Sequence, residues 1–177
     1  MIVGAPDIDA FVKEGKMMPA SRVDIASSGV GIAVKAGSPR PDISSGEAVK
    51  KALLSATAVA YSTGASGVYV ERLFDRLGIA DQMKDKSKQT APGMRVAQSL
   101  ASGEADLGFQ QVSELVHETG IDFLGPLPAD IQNITVYSSG IRSGSNASEP
   151  AKALQAFLSA PAAAPVIRKN GMDPSHP

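Results

Sequence analysis

The chain has 177 residues, of which 43% are hydrophobic and 20% are charged, and its formal net charge is -1. This balance predicts a globular fold with a hydrophobic core, and the near-zero net charge disfavours nucleic-acid binding and general membrane-surface binding. Cysteine is absent and histidine occurs twice, which excludes disulfides, thiolate metal sites and cysteine nucleophiles and disfavours a histidine metal cluster.

The first third of the chain alternates strand and helix signals. The residue patterns predict a strand at 1–4, a helix at 6–15, a strand at 30–35 and a helix at 47–55. Ser44 lies three residues before Glu47, which is the spacing of a capping box for that last helix. Met1 is followed by neither a basic segment nor a long apolar one, so no signal-peptide pattern is recognised.

The alternation continues to the end of the chain. A strand is predicted at 58–62, a periodic helix at about 66–77 ending at Gly78, a charged solvated segment at 81–90, a helix beginning at Pro92 and ending at Gly103, and strands at 106–112, 121–124 and 133–138. Two terminal helices are predicted from Ser148 and from Pro161, with a break at Pro165. This order predicts an α/β fold with largely parallel strand pairing.

One anion-site candidate is the turn formed by Ser62, Thr63, Gly64, Ala65, Ser66 and Gly67. It joins a buried strand to a helix, and the first N–H groups of a helix have no internal partners. Small residues let an anion approach those N–H groups, where the helix dipole is positive. The alternative is that Thr63 or Ser66 caps the helix and binds nothing.

Further candidates are the turn Gly93, Met94 and Arg95 and the residue Gln111. A cation in a first helical turn opposes the dipole, which suggests that Arg95 binds a carboxylate; the alternative is a surface arginine paired with an acidic neighbour. Gln110 and Gln111 point to opposite faces of their strand, so one faces the core and the other a cleft. A neighbouring loop backbone is the commoner partner for such an amide.

Catalytic signals are sparse. His117 lies beside acidic residues and is expected to be solvated, and His176 lies in a polar tail. Tyr61, Glu71 and Glu114 are weighed as proton-transfer groups without a convincing arrangement, so no catalytic residue is assigned. No nucleophile elbow, Walker loop or dinucleotide fingerprint is present, and neither a metal nor a cofactor is predicted.

The ordered segments 24–37, 41–43, 61–62, 66–69, 74–79, 103–108, 125–128 and 171–172 resemble extracellular solute-binding proteins of the molybdate-binding type. The resemblance covers nearly all of the chain. It implies a two-lobe, type II periplasmic-binding-protein-like α/β fold whose second lobe is complete and whose first lobe lacks its opening part. The implied organisation is a partial first lobe and hinge-entering strand at 1–36, a second lobe at 37–130, and a return strand with terminal helices at 131–177.

In that family a small anion is held between two lobes by helix N-termini and hydroxyls. Ser66 matches the position of one second-lobe contact, the turn Gly93–Arg95 matches the other contact region, and Gln111 falls where molybdate binders carry a cleft-facing tyrosine. An arginine and a glutamine there suit an organic carboxylate better than tetrahedral molybdate. The expected ligand is therefore a small carboxylate.

The resemblance implies the substrate-binding component of an ABC-type transport system, with a permease as partner and the periplasm as location. The alternative is an aconitate-isomerase-like enzyme acting on a small tricarboxylate, and a third reading is a folded remnant without function. Enzymatic activity is thus undecided, with binding favoured. No nucleic-acid partner is expected, and the incomplete lobe is expected to expose an apolar face that allows a dimer and to weaken ligand binding.

Overall fold

The computed structural model describes residues 1–175, so His176 and Pro177 lie outside the described residues. In chain order the strands are β1 (Ile2–Gly4), β2 (Val23–Lys35), β3 (Val59–Tyr61), β4 (Ser87–Gln89), β5 (Leu107–Gln111), β6 (Ile121–Pro126), β7 (Ile134–Ser139) and β8 (Asp173–Pro174). The α-helices are α1 (Ala5–Lys13), α2 (Gly46–Ser55), α3 (Ala65–Arg76), α4 (Ala80–Met83), α5 (Val96–Ser102), α6 (Val112–Leu115), α7 (Ser148–Ser159) and α8 (Ala164–Lys169). Within residues 1–175 no helix is both long enough and apolar enough to cross a membrane.

The strongest sequence signals are confirmed. The periodic segment before Gly78 is α3, and Gly78 follows it with a φ of 68°, a conformation that glycine adopts without steric cost. Helix α7 begins at Ser148 as predicted. The terminal helices are separate, but the break lies at Ala160, whose backbone is extended, and not at the predicted Pro165, which fits the first turn of α8.

Three local predictions are wrong. The segment 81–90, predicted to be solvated, contains buried Met83 and the strand β4, which pairs in parallel with β3. Strand β4 was not predicted because its side chains are polar. The N-cap of α2 is Ser45, whose hydroxyl accepts the Ala48 N–H, and the Ser44 N–H instead donates to Asp42. Helix α5 begins only at Val96, because the residues after Pro92 form a turn.

The chain divides into two compact units. The continuous unit is Gly29–Asn133, and the split unit consists of residues 1–28 together with the residues from Ile134 onward. The assignment of segments 1–36, 37–130 and 131–177 to functional lobes stays a prediction.

The continuous unit is built on a five-stranded sheet in the order β6–β2–β5–β3–β4. Strand β2 is antiparallel to both of its neighbours in this unit, whereas β3 is parallel to β4 and to β5. The prediction of largely parallel pairing is therefore wrong, because β2 runs against every strand beside it here and only β3 forms parallel pairs. Val59 and Tyr61 point to one face, where α2, α3 and α4 supply the larger core cluster, and Ala60 points to the other, where Val96 and Leu100 of α5 pack. Helices on both faces account for the apolar sequence of the central strands.

The split unit contains β1, β7, β8 and the first part of β2. Strand β7 lies between β1 and β2 and is antiparallel to β1, with Ile2 opposite Ser139. Strand β8 pairs with β2 through Ala26 and Ser27. Helix α1 begins with Pro6 in its first turn, and its Ile8 is fully buried against this sheet region.

Candidate functional site

The predicted ligand-binding segments all follow strands of one parallel set. Strands β3, β4 and β5 end at Tyr61, Gln89 and Gln111, and the carboxyl ends of parallel strands meet at the same edge of a sheet. The turn 62–67 follows β3, the turn 90–95 follows β4, and Gln111 is the last residue of β5. We call this edge, with the two turns, the carboxyl edge; open α/β sheets bind ligands at such edges.

The turn after β3 is organised by serine hydroxyls. The Oγ atoms of Ser62 and Ser66 lie 3.2 Å apart, and the Gly64 N–H donates to Ser62 Oγ at 3.3 Å. Gly64 is the N-cap of α3, and no side chain caps the helix. The alternative in which Thr63 or Ser66 serves only as the helix cap is therefore wrong.

The start of α3 combines exposed residues with buried serine side chains. Thr63, Gly64 and Ala65 are exposed, whereas Ser62 and Ser66 are buried. The first N–H groups of a twelve-residue helix have no intrahelical acceptors and carry the positive end of its dipole. An anion approaching from solvent would contact residues 63–65 first, with the hydroxyls of Ser62 and Ser66 beneath them.

Gly67 sets how closely α3 approaches β3. A Cβ atom built on Gly67 would lie 1.6 Å from the Ser62 carbonyl oxygen, so no side chain fits without moving the backbone. A Cβ on Gly64 would lie 3.6 Å from Ser62 Oγ, which is ordinary van der Waals contact. The small residue at position 67 is thus required for the packing that holds the two hydroxyls together.

Arg95 differs from its predicted setting. It is the N-cap residue of α5 and not a residue of its first turn, although the N-cap also lies at the positive end of the helix dipole. Its Nη1 donates to Glu118 Oε1 at 2.5 Å, which is the acidic pairing that was the alternative. The Arg95 side chain is nevertheless 64% exposed, and the preceding Gly93 and Met94 are exposed as well.

The two glutamines at the end of β5 are both buried. Gln110 Oε1 accepts the Val96 N–H at 3.1 Å, so this amide has the loop-backbone partner that the sequence indicated as the commoner one. Gln111 is 2% exposed and pairs in register with Val30 of β2. Its role as a ligand contact stays a prediction.

Ionisable groups near this edge have perturbed acidities. Partial desolvation raises the pKa of Glu114 although the residue is exposed, and hydrogen bonds from Gln110 and from the Gln111 backbone oppose the shift. Burial also raises the pKa of Tyr61, whose hydroxyl donates to Glu71 at 3.2 Å and whose ring packs edge-on against Phe74. The described contacts therefore show no proton-transfer arrangement between the Tyr61–Glu71 pair and Glu114. No group of three or more metal-ligating side chains occurs among the described residues.

A groove of about 630 Å³ lies elsewhere in the continuous unit. Its lining includes the loop Pro39–Pro41, Ala48 and Lys51 of α2, and Leu107. Leu107 begins β5 and Gln111 ends it, so the groove lies at the end of that strand away from the carboxyl edge. This groove was not predicted from the sequence, because its lining comes from ordinary loop and helix residues.

Comparisons with known proteins cover nearly the whole chain. Residues 1–173 match the family of bacterial extracellular solute-binding proteins. The chain is 41% identical over 175 residues to an aconitate isomerase from a Pseudomonas species; the match covers 98% of this chain and spans 66% of that protein's length, just under two thirds.

Solved structures share the fold at low sequence identity. The periplasmic molybdate-binding protein of Azotobacter vinelandii has a TM-score of 0.76 and 18% identity, over 97% of this chain and 76% of its own. A tungstate-binding protein of Desulfovibrio alaskensis has a TM-score of 0.65 and 16% identity, over 99% of this chain and 78% of its own. The predicted fold class is thereby confirmed as the α/β fold of type II periplasmic binding proteins. The chain belongs to the bacterial extracellular solute-binding protein family.

Proposed function

We propose that this chain is the substrate-binding component of an ABC-type transport system and that it binds a small organic carboxylate at the carboxyl edge. The observation that carries the proposal is the start of α3, where exposed Thr63, Gly64 and Ala65 precede two buried hydroxyls. A helix N-terminus without a side-chain cap offers N–H donors and a positive dipole to an anion.

A carboxylate ligand is favoured over molybdate by the Arg95 side chain and by the relative of higher sequence identity. Arg95 presents an exposed planar guanidinium at the same edge, and that geometry matches a planar carboxylate. The relative with 41% identity is named for a tricarboxylate, whereas the molybdate-binding structure shares 18% identity. Gln111, Met94 and Gly93 complete the proposed contacts around the ligand.

Arg95→Ala tests the carboxylate preference by calorimetry with citrate, aconitate, molybdate and tungstate, titrated to millimolar concentrations. We expect the variant to lose about tenfold or more in citrate affinity, since a hydrogen bond to a charged group contributes about 1.5–3 kcal/mol. Arg72→Ala, an equal charge change at an exposed position of α3, is the matched control and should bind like the parent. Tight molybdate binding without a carboxylate response would contradict the proposal.

A second candidate function is isomerisation of a small tricarboxylate, favoured by the named activity of the relative. A double-bond shift removes a proton from one carbon and returns a proton to another, so it needs no co-reactant but does need a base of matched pKa. Glu114, whose pKa is raised, is the group at this edge best suited to that role. Solvent-deuterium incorporation into aconitate, followed by NMR, tests it: incorporation that Glu114→Gln abolishes supports isomerisation, and no incorporation contradicts it.

The proposed location is the periplasm, with a membrane permease as partner. Self-association through the split unit is part of the same proposal: Leu154 and Phe157 lie one turn apart on α7 and are 54% and 70% exposed. Light scattering tests it, with Phe157→Ser as the variant. We expect the parent to form a dimer that the variant weakens, and a monomeric parent at high concentration would contradict it.

A further inference from the structure

The turn that carries Arg95 is fixed to the sheet at both ends. At its start, the Thr90 N–H donates to the Tyr61 carbonyl at 2.9 Å, directly before Ser62. Within it, Thr90 Oγ1 donates to the Met94 carbonyl at 3.1 Å. At its end, the Val96 N–H donates to Gln110 Oε1. The backbone of Arg95 is therefore held between the ends of β3 and β5.

Gln110 is the more informative of these anchors because both ends of its amide have defined partners. Its oxygen accepts the Val96 N–H at 3.1 Å, and its side chain also bonds the Glu114 carboxylate, which must accept from the amide nitrogen. The residue is 4% exposed, so water does not substitute easily for either partner. One buried side chain thus links β5, the start of α5 and helix α6.

Glu118 fixes the guanidinium in the same region. Its Oε1 accepts from Arg95 Nη1, and its side chain is 20% exposed while that of Arg95 is 64% exposed. If a ligand displaced Glu118 from Arg95, the Glu118 carboxylate would be left unpaired in a poorly solvated position. That penalty opposes displacement of Glu118 by the ligand. An arginine has five N–H donors, so a bond through Nη1 leaves the exposed side of the guanidinium able to bind a second carboxylate.

We propose that Gln110 and Glu118 are positioning residues for Arg95: Gln110 holds its backbone at the carboxyl edge, and Glu118 orients the guanidinium so that its exposed donors meet a ligand carboxylate. This inference rests on the proposed function. It assigns Glu118 as a support of ligand binding, although its charge has the same sign as the ligand's. Direct competition between Glu118 and the ligand for Arg95 would have the opposite effect on affinity.

The test is a double-mutant cycle on citrate affinity with Arg95→Ala, Glu118→Gln and their combination, measured by calorimetry on the full chain. We expect Glu118→Gln to weaken binding about tenfold, the change expected for one charge-assisted bond, and to have less than about twofold effect when Arg95 is already alanine. Glu104→Gln, an exposed position elsewhere in the continuous unit, is the matched control. Ligand-free melting temperatures separate binding effects from loss of folding.

Gln110→Leu supplies an independent readout. We expect faster hydrogen exchange at the Val96 amide and weaker citrate binding that again depends on Arg95. Equal losses with and without Arg95 would show a merely structural role and overturn the inference, as would tighter binding by Glu118→Gln. Failure of the proposed carboxylate contact is distinguished by Arg95→Ala alone, which would then bind citrate as well as the parent.

Discussion

The two units of the chain bury apolar side chains very differently. Both hydrophobic core clusters of the described residues lie within the continuous unit, on the two faces of its sheet. Most of the large exposed hydrophobic side chains lie in the split unit: Met1, Ile2, Ile134, Leu154, Phe157 and Val166. The continuous unit therefore has its own core, whereas the split unit leaves apolar surface uncovered.

The split unit compensates in part with polar networks. The Arg22 guanidinium bonds Asp9 at 2.7 Å and Asp24 at 3.0 Å, and Ser138 donates to Asp24 at 2.6 Å. These two carboxylates raise the pKa of Arg22 further above its ordinary value. Because the charged groups are one third exposed or more, the network contributes less stability than an equal number of buried apolar side chains. The continuous unit should therefore contribute more to the free energy of unfolding than the split unit does.

The largest expected effect compares two phenylalanines. Phe109 is fully buried in the core of the continuous unit, and Phe157 is 70% exposed in the split unit. Phe109→Ala should lower the free energy of unfolding by about 3–5 kcal/mol, whereas Phe157→Ala should change it by less than about 0.5 kcal/mol. Urea titration, at a protein concentration low enough for the chain to be monomeric, measures both. Similar losses for the two variants would show that Phe157 is packed within the monomer, and the contrast between the units would then fail.

Two buried amides give a second comparison. The Gln132 side chain accepts the Val30 and Asn133 N–H groups and donates to the Val30 and Leu127 carbonyls, all within the continuous unit. The Gln155 amide in the split unit donates to the Ser21 carbonyl and Ser139 Oγ. Gln132→Leu should cost about 2–4 kcal/mol and Gln155→Leu about 1–3 kcal/mol, because each buried group left unpaired carries a penalty. A larger loss of unfolding free energy for Gln155→Leu than for Gln132→Leu in urea titrations would show that the split unit depends more strongly on its buried amide.

A third comparison concerns two glycines of the turn at the ligand site. Gly67→Ala forces a methyl group against the Ser62 carbonyl, so overpacking should lower the free energy of unfolding by about 1–3 kcal/mol. The same substitution should also weaken anion binding. Gly64→Ala, in the same turn but with room for a Cβ, is the matched control for stability. Equal melting temperatures for the two variants would mean that α3 can shift away from β3 without loss of stability.

The smallest expected effect concerns pH. The folded-state pKa of Glu114 lies above its ordinary value of 4.5, so the folded protein binds more protons than the unfolded chain between those two values. The contribution of Glu114 to stability is therefore lost as pH rises through this window. Glu114→Gln should flatten the decline in melting temperature above pH 4.5 relative to the parent. An unaltered pH profile in Glu114→Gln would place this carboxyl in an ordinary solvated setting.

The sequence was informative where periodicity and local signals agree, as for α3 with its following Gly78. It failed at β4, because edge strands carry polar side chains and are specified by their pairing with β3 rather than by an apolar pattern. At the candidate site, the sequence indicated that the turn 62–67 follows a strand, but it did not indicate that β4 precedes the turn 90–95. The partner of Arg95 was beyond sequence reasoning, because Glu118 reaches it from 23 residues away. The close contact of Gly67 with Ser62 likewise depends on how α3 packs.

Amide chemical-shift mapping of citrate on the isotope-labelled chain locates the ligand directly, because it detects weak as well as strong binding. We expect the largest shifts at the carboxyl edge, in residues 63–67 and 93–96, with smaller changes at Gln111. The groove lined by Pro39–Pro41 and α2 is the competing location in the same unit. Shifts confined to that groove, with the start of α3 unchanged, would contradict the central claim that the carboxyl edge binds the ligand.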